Sequence, residues 1–235
     1  MAAAGNLAHG HVIEVGPGPG SLTEALLESD AASVTAIELD PRATKSLADL
    51  AARHGERFRL ILADARRIAL PALVPPPRHV VANLPYNVAT PLLIAWLGDA
   101  AAFAGLTLMF QAEVAERITA ASGSPAYGRL AVLAQWTCRA RIAFRLPPEA
   151  FTPRPKVSSA VVSLVPHPVQ PPVPLFAAMQ RLTAAAFGQR RKMLRASLKP
   201  IGGATLLAAA GIAAERRAET LSIAEFDRLA RLLLA

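Results

Sequence analysis

The sequence predicts an α/β protein: a mostly parallel sheet with crossover helices, followed by a small all-helical domain. Three observations carry that reading. Short apolar runs alternate with helical patterns through the first two-thirds of the chain, as a parallel sheet requires. A proline-rich, uncharged stretch, Val165 to Leu175, reads as a linker. After it only helical patterns remain. The expected division is a sheet domain over 1–165 and a helical domain over 166–235.

The strands are expected, in order, at HVIEVG, SVTAIEL, RLILAD, HVVANL and LTLMF. SLTEALLES and PRATKSLADLAARHG between them read as helices. CRARIAFRL and SAVVSLVP follow without a long helix between them, which suggests an antiparallel pair closing one sheet edge. In the helical region, LFAAMQRLTAAAF, QRRKMLRASLK, TLLAAAG and IAEFDRLARLLL carry apolar residues at helical spacing. The last of these opens on Ser222-Ile223-Ala224-Glu225, a capping box in which hydroxyl and carboxylate satisfy orphan amides.

Composition narrows the function classes. With 53% hydrophobic residues in 235, the chain can bury a large core. A single cysteine, Cys138, allows no internal disulfide and suggests a reducing cytoplasm. His79 to Gly98 carries no Asp, Glu, Lys or Arg, yet Asn83, Pro85, Asn87 and Pro91 within it argue against a membrane span. The net charge of +8 is concentrated. No acid occurs between Ala150 and Ala214, where eight basic residues lie: Arg154, Lys156, Arg181, Arg190, Arg191, Lys192, Arg195 and Lys199. The rest of the chain is balanced, so the excess suggests a polyanionic partner on one face. Arg191 and Arg195, four apart, are expected on one helical face, with Lys199 extending the stripe.

Open α/β sheets bind ligands at the carboxyl ends of their strands. The first such end, VIEVGPGPGSLTEALL, places Glu14, Gly16, Gly18 and Gly20 at a strand-to-helix turn. The spacing is not that of the dinucleotide fingerprint, and Pro17 and Pro19 remove two amides that a pyrophosphate would need. Glu38 ends the second strand, where an acid can accept from both ribose hydroxyls. Asp64 ends the third, followed by Ala65, where a carboxylate can accept from an adenine amine. Ribose and adenine without a phosphate describe S-adenosylmethionine better than a nicotinamide dinucleotide.

The fourth strand ends in Asn83-Leu84-Pro85-Tyr86. An exocyclic adenine amine is a poor nucleophile because its lone pair is delocalised into the ring. Acceptors on its two hydrogens localise that pair. The Asn83 side-chain oxygen can be one, and the Leu84 carbonyl, in a residue that Pro85 biases to extended backbone, the other. Tyr86 can stack on the base. This is stabilisation of charge that develops only in the transition state. It requires neither a metal nor a strong general base.

Together NLPYNVATPLL, EVGPGPGSLTEAL, AIELD and AFTPRPKVSSAVV resemble the ribosomal RNA adenine dimethyltransferase family. YGRLAVLAQ and RRAETLSIAEF make the chain most similar to its bacterial small-subunit branch. The resemblance implies a class I methyltransferase, with a Rossmann-like seven-stranded sheet and a helical C-terminal domain that binds RNA. It implies S-adenosylmethionine as donor and two adjacent adenosines near the 3′ end of small-subunit RNA as acceptor. It further implies a monomer acting on an immature subunit in the cytoplasm. By motif position, Gly16, Glu38, Asp64 and Asn83 match the family's cofactor contacts. Phe151 matches a ring that sandwiches the extruded base opposite Tyr86, and an extruded base does need aromatic faces. Arg154 and Lys156 flank that ring and can hold phosphates. The family's Gln-Asn-Phe-Leu element before the first strand has no counterpart here, which implies a shortened or internal start at Met1. Two neighbouring readings share much of this pattern: the large-subunit methyltransferases of macrolide resistance, which the terminal RAETLS disfavours, and a non-catalytic assembly factor on the same fold, which intact Glu38, Asp64 and Asn83 disfavour.

Overall fold

The computed structural model describes residues 2–234, apart from the side chains of Ala2, Tyr86 and Asn87. Seven strands form one sheet: β1 (His11–Val15), β2 (Ser33–Glu38), β3 (Phe58–Leu62), β4 (Arg78–Asn83), β5 (Gly105–Gln111), β6 (Cys138–Leu146) and β7 (Ser159–Pro166), in the order β3-β2-β1-β4-β5-β7-β6. The first five run parallel and β7 runs antiparallel to β5. All seven strands therefore lie where the apolar runs placed them, with the last two at one edge. The order reverses between β1 and β4, the switch point at which such sheets bind ligands.

The central strands are buried on both faces, which is why β1, β2 and β4 read as near-continuous apolar runs. Helices α1 (Ser21–Leu27) and α2 (Ala43–His54) cover one face, closing a core of Val12, Leu26, Val34, Leu47, Leu50 and Phe58. Helix α3 (Tyr86–Leu97) follows β4, and α4 (Ala112–Thr119) follows β5.

The chain divides into two compact units, residues 1–115 with 141–166, and 116–140 with 167–235. One crossing, between Pro166 and His167, lies one residue beyond the cut expected after residue 165. The second unit, however, also takes a segment from the middle of the expected sheet domain. The reason is α5 (Arg129–Thr137), whose Ala131, Val132, Leu133 and Ala134 are buried. It packs on α6 (Val173–Gly188), with the Trp136 ring stacked on Phe176. The Trp136 indole N–H donates to Asp227 at 3.1 Å, and Gln170 donates to the Thr137 carbonyl at 2.8 Å. A helical core can recruit a helix from any position in the chain, and sequence adjacency does not reveal it.

The remaining helices are α7 (Leu194–Ser197), α8 (Gly203–Ala209) and α9 (Ile223–Leu232). The capping box is present: the Ser222 hydroxyl accepts from the Glu225 amide, and the Glu225 carboxylate accepts from the Ser222 amide. The helix expected across QRRKMLRASLK is reduced to four residues. Gly188 ends α6, the amides of Leu194 and Arg195 donate to the carbonyls of Arg216 and Ala214, and Pro200 follows. Arg191, Arg195 and Lys199 thus do not share one helical stripe. Among the described residues, no helix is long and apolar enough to cross a membrane.

Candidate active site

The site is built from four strand exits. At the first, Gly16, Gly18 and Gly20 have φ of +74°, +54° and +96°, conformations that only glycine adopts freely. Their surroundings differ. Gly16 lines a cavity. The Gly18 amide donates to Glu38 Oε2 at 3.3 Å. Gly20 faces the other way: a Cβ there would stand 2.7 Å from Leu47 Cδ2 and 3.1 Å from Leu50 Cδ1, both in the core behind the turn. The glycine motif therefore divides into two residues facing the ligand side and one packing residue.

At the second exit, Glu38 is held in place before any ligand arrives. Its Oε1 accepts from the amides of Leu39 at 2.7 Å and Asp40 at 2.9 Å. At the third, Asp64 caps a short 3-10 turn, accepting from the Arg66 amide. The Arg66 guanidinium also grips this carboxylate, and that pairing holds its pKa down at about 2. Val15, Gly16, Glu38, Asp64, Ala65 and Pro85 are among the walls of one cavity of about 210 Å³.

Glu14 sits one layer deeper. It is 1% exposed, and its Oε2 has no partner among the described residues. Burial pushes its pKa up to about 7, with the Glu38 charge adding to the shift. The Thr23 hydroxyl beside it opposes the shift in part without meeting hydrogen-bond geometry. The folded chain therefore binds this proton more tightly than the unfolded chain, whose carboxyl titrates near 4.5. Stability falls as pH rises from about 4.5 to about 7 and levels off above, a loss on the order of 3 kcal/mol. Glu14→Gln is expected to remove that slope. Urea unfolding of both chains between pH 5 and 8 checks it: parallel curves would mean that Glu14 does not carry the effect.

The fourth exit carries the residues expected to meet the target amine. Asn83 is exposed at the end of β4, Leu84 behind it is buried, and Pro85 is extended at φ −56°, ψ 132° before α3 begins. Among the described residues no group hydrogen-bonds the Asn83 carboxamide. Asn83 borders a second, apolar cavity of about 220 Å³ whose walls include Val81, Met109, Phe144 and Val161. Tyr86 opens α3, but its side chain lies outside the described residues. Phe151 is half-buried at the start of the largely exposed segment 152–158, and lines neither cavity.

The expected RNA contacts fare unevenly. Lys156, Arg191, Lys192 and Lys199 are exposed. Arg154 pairs with Glu149, and Arg195 approaches Glu215 at 3.6 Å. Arg190 serves the fold instead. Its Nη2 donates to the carbonyls of Pro125 at 2.6 Å and Tyr127 at 2.9 Å, fastening the loop before α5. Two further residues carry no expectation from the sequence. Arg66 gives a readable signal, since Asp-x-Arg occurs at both the second and third strand exits. Phe144, 46% exposed on the wall of the second cavity, gives none, because an aromatic residue in a strand is ordinarily core.

The residues present fit an adenosine cofactor without phosphates. Two anchored carboxylates line the cavity, and the turn that would cradle a phosphate has prolines at two of its positions.

Comparison with known proteins agrees with this geometry. The sequence profile of the family described as ribosomal RNA adenine dimethylase matches residues 6–234. The chain is 56% identical over 234 residues to ribosomal RNA small subunit methyltransferase A of Gluconobacter oxydans (strain 621H), covering 100% of this chain and 77% of that protein. It is 54% identical over 237 residues to the protein of that name from Brucella canis (strain ATCC 23365 / NCTC 10854 / RM-666), covering 98% and 85%. Among solved structures it resembles a dimethyladenosine transferase from Plasmodium falciparum, with a TM-score of 0.78 at 25% identity over 97% of this chain and 91% of that one. It also resembles the 23S rRNA methyltransferase ErmE, with a TM-score of 0.71 at 25% identity over 100% and 95%.

Proposed function

The chain belongs to the ribosomal RNA adenine dimethylase family, and from that membership we propose that it dimethylates two adjacent adenosines near the 3′ end of small-subunit ribosomal RNA, using S-adenosylmethionine. The observation that carries the reading is the placing of Asn83-Leu84-Pro85 at the switch point of the sheet, beside a cavity walled by Gly16, Glu38 and Asp64. The structural likeness extends to a dimethyladenosine transferase and to a 23S rRNA methyltransferase. The identity above 50% to small-subunit methyltransferases favours that substrate.

The cofactor supplies an electrophilic methyl group when bound. Glu38 takes the ribose hydroxyls and Asp64 the adenine amine, while the turn at Gly16 lets the backbone come close. Gly18, Ala65 and the buried Glu14 complete that half of the site. The Asn83 carboxamide oxygen and the Leu84 carbonyl accept the hydrogens of the target amine and hold its lone pair toward the methyl group. Tyr86 and Phe151 cover the two faces of the extruded base. The enzyme works in the cytoplasm as a monomer on an immature small subunit. Incubation with labelled S-adenosylmethionine and undermethylated small subunits, then mapping of the modified bases, tests the proposal. Label confined to large-subunit RNA would overturn it.

Lys156 in the sheet unit and Arg191, Lys192 and Lys199 in the helical unit are the cations we assign to RNA phosphates, with Arg154 and Arg195 available once their surface pairs exchange. Neutralising Arg191, Lys192 and Lys199 together is expected to lower the log–log salt slope of RNA binding by roughly 0.7 to 0.9 for each phosphate no longer neutralised. Arg190→Ala should instead lower stability and leave the slope unchanged. Binding measured across a salt series decides between a phosphate contact and a solvated surface.

A further inference from the structure

The second and third strand exits carry the same device. In Asp40-Pro41-Arg42, Asp40 Oδ1 accepts from the Arg42 amide at 2.9 Å and from Nε at 2.9 Å, and Oδ2 accepts from Nε at 2.9 Å and Nη2 at 2.6 Å. In Asp64-Ala65-Arg66, Asp64 Oδ1 accepts from the Arg66 amide at 3.0 Å and from Nε at 3.0 Å, and Oδ2 accepts from Nε at 3.1 Å and Nη2 at 2.7 Å. Each arginine folds back on the acid two residues before it and holds the carboxylate side-on. The two copies differ in place. Asp64 and Arg66 both line the cofactor cavity, whereas Asp40 and Arg42 line none of it.

A carboxylate offers about four acceptor positions. On Asp64 the Arg66 amide and Nε take the two on Oδ1. Nη2 takes one on Oδ2; the single Nε hydrogen, though Nε also lies 3.1 Å from Oδ2, fills only one position. The clip therefore leaves one well-formed acceptor direction, on Oδ2, and fixes the plane in which it points. A freely rotating carboxylate has no such preference. A site with one fixed, ionised acceptor selects a ligand presenting one N–H and rejects a ligand presenting an oxygen there, because two acceptors then face each other. Lysine cannot reproduce this, since a point charge lacks the planar fork.

We infer that Arg66 is a positioning residue of the cofactor site: by clipping Asp64 it sets the single acceptor that reads the exocyclic amine of the cofactor's adenine. The inference rests on the reading of Asp64 as the amine acceptor. It assigns the base selectivity of the site to a pair rather than to the acid alone.

Calorimetric titration of the full chain with S-adenosylhomocysteine and with its inosine counterpart tests this. The parent should prefer the adenine form by about 100-fold. Arg66→Ala should bind the adenine form about ten-fold more weakly and keep only about a ten-fold preference, with Arg66→Lys close to it. Arg42→Ala, which opens the clip outside the cavity, should keep the parent's affinity and preference. An Arg66→Ala chain that retains the full preference, or that loses affinity for both ligands equally, overturns the inference, since Arg66 would then be inert or merely a wall. A full rescue by lysine overturns it too. Asp64→Ala separates the layers: loss of the preference there upholds the reading of Asp64, and its retention sinks that reading together with the inference.

Discussion

Asn83→Ala is expected to lower single-turnover methyl transfer by about 100-fold or more, close to 3 kcal/mol of transition-state stabilisation, while cofactor affinity changes by no more than roughly three-fold. The asymmetry follows from where the side chain stands. The cavity walled by Gly16, Glu38 and Asp64 holds the proposed adenosine contacts, and the Asn83 side chain is not among its walls. Asn83 lies at the strand end beyond it, exposed, bordering the apolar cavity. Its carboxamide has no partner to lose among the described residues, so truncation leaves no buried group unsatisfied and should cost the fold little. What disappears is an acceptor for a hydrogen that becomes more acidic as the amine gives up its lone pair. An interaction that strengthens along the reaction shows in the rate of transfer rather than in binding. Rapid-quench measurement with enzyme in excess, beside calorimetric titration with S-adenosylhomocysteine, separates the two. Near-normal transfer in the variant would end the role assigned to Asn83. An equal loss in both measurements would make it a binding residue instead.

The sheet is legible in the sequence because its central strands are buried on both faces and bounded by turn residues, so β1, β2 and β4 announce themselves as apolar runs. The acids at the strand exits are legible for the same reason: Glu38 and Asp64 are polar breaks at the end of an apolar strand. What those acids touch is not. Nothing in ILADARR says that Arg66 turns back onto Asp64 rather than toward solvent, although Asp-x-Arg repeats at two strand exits in a row. The basic segment misleads more seriously. QRRKMLRASLK has helical spacing, but Gly188 before it and Pro200 after it, with backbone bonds to Ala214 and Arg216, leave only Leu194–Ser197 helical. Charge alone also makes Arg190 equal to its neighbours. Its hydrogen bonds to Pro125 and Tyr127 cross more than sixty residues of chain, a contact that no local pattern encodes. The membership of α5 in the helical unit is hidden in the same way, since Trp136 and the Phe176 ring it stacks on are separated in the chain by two strands of the other unit.

Gly20→Ala is expected to be the most destabilising single substitution in the glycine turn, and Gly16→Ala the one that most weakens cofactor binding while the chain stays folded. All three glycines share positive φ, so by backbone preference alone each alanine costs roughly 1–2 kcal/mol. Their neighbours decide the rest. At Gly20 the new methyl group would overlap Leu47 Cδ2 at 2.7 Å and press on Leu50 Cδ1 at 3.1 Å. Both are side-chain ends, which on a surface would simply swing aside. Here Leu47 is 1% and Leu50 5% exposed, inside the core shared with Val12, Leu26 and Phe58, and any movement displaces those in turn. Overpacking of that kind adds about 1–3 kcal/mol. At Gly16 the methyl group would meet the Asn83 carbonyl and Pro85 Cδ at 3.8 Å, ordinary contact distances, so the fold bears only the backbone cost. Gly16 does line the cavity, however, and the added carbon takes space in a volume of about 210 Å³ beside the proposed adenosine contacts. Urea unfolding should therefore rank Gly20→Ala well below Gly16→Ala in stability. Titration with S-adenosylhomocysteine should show an affinity loss of about ten-fold or more for Gly16→Ala, beyond what its reduced stability explains. If Gly20→Ala matched Gly16→Ala in stability, the Leu47 and Leu50 side chains would have to repack freely, and the turn would be held to α2 less tightly than its contact distances require.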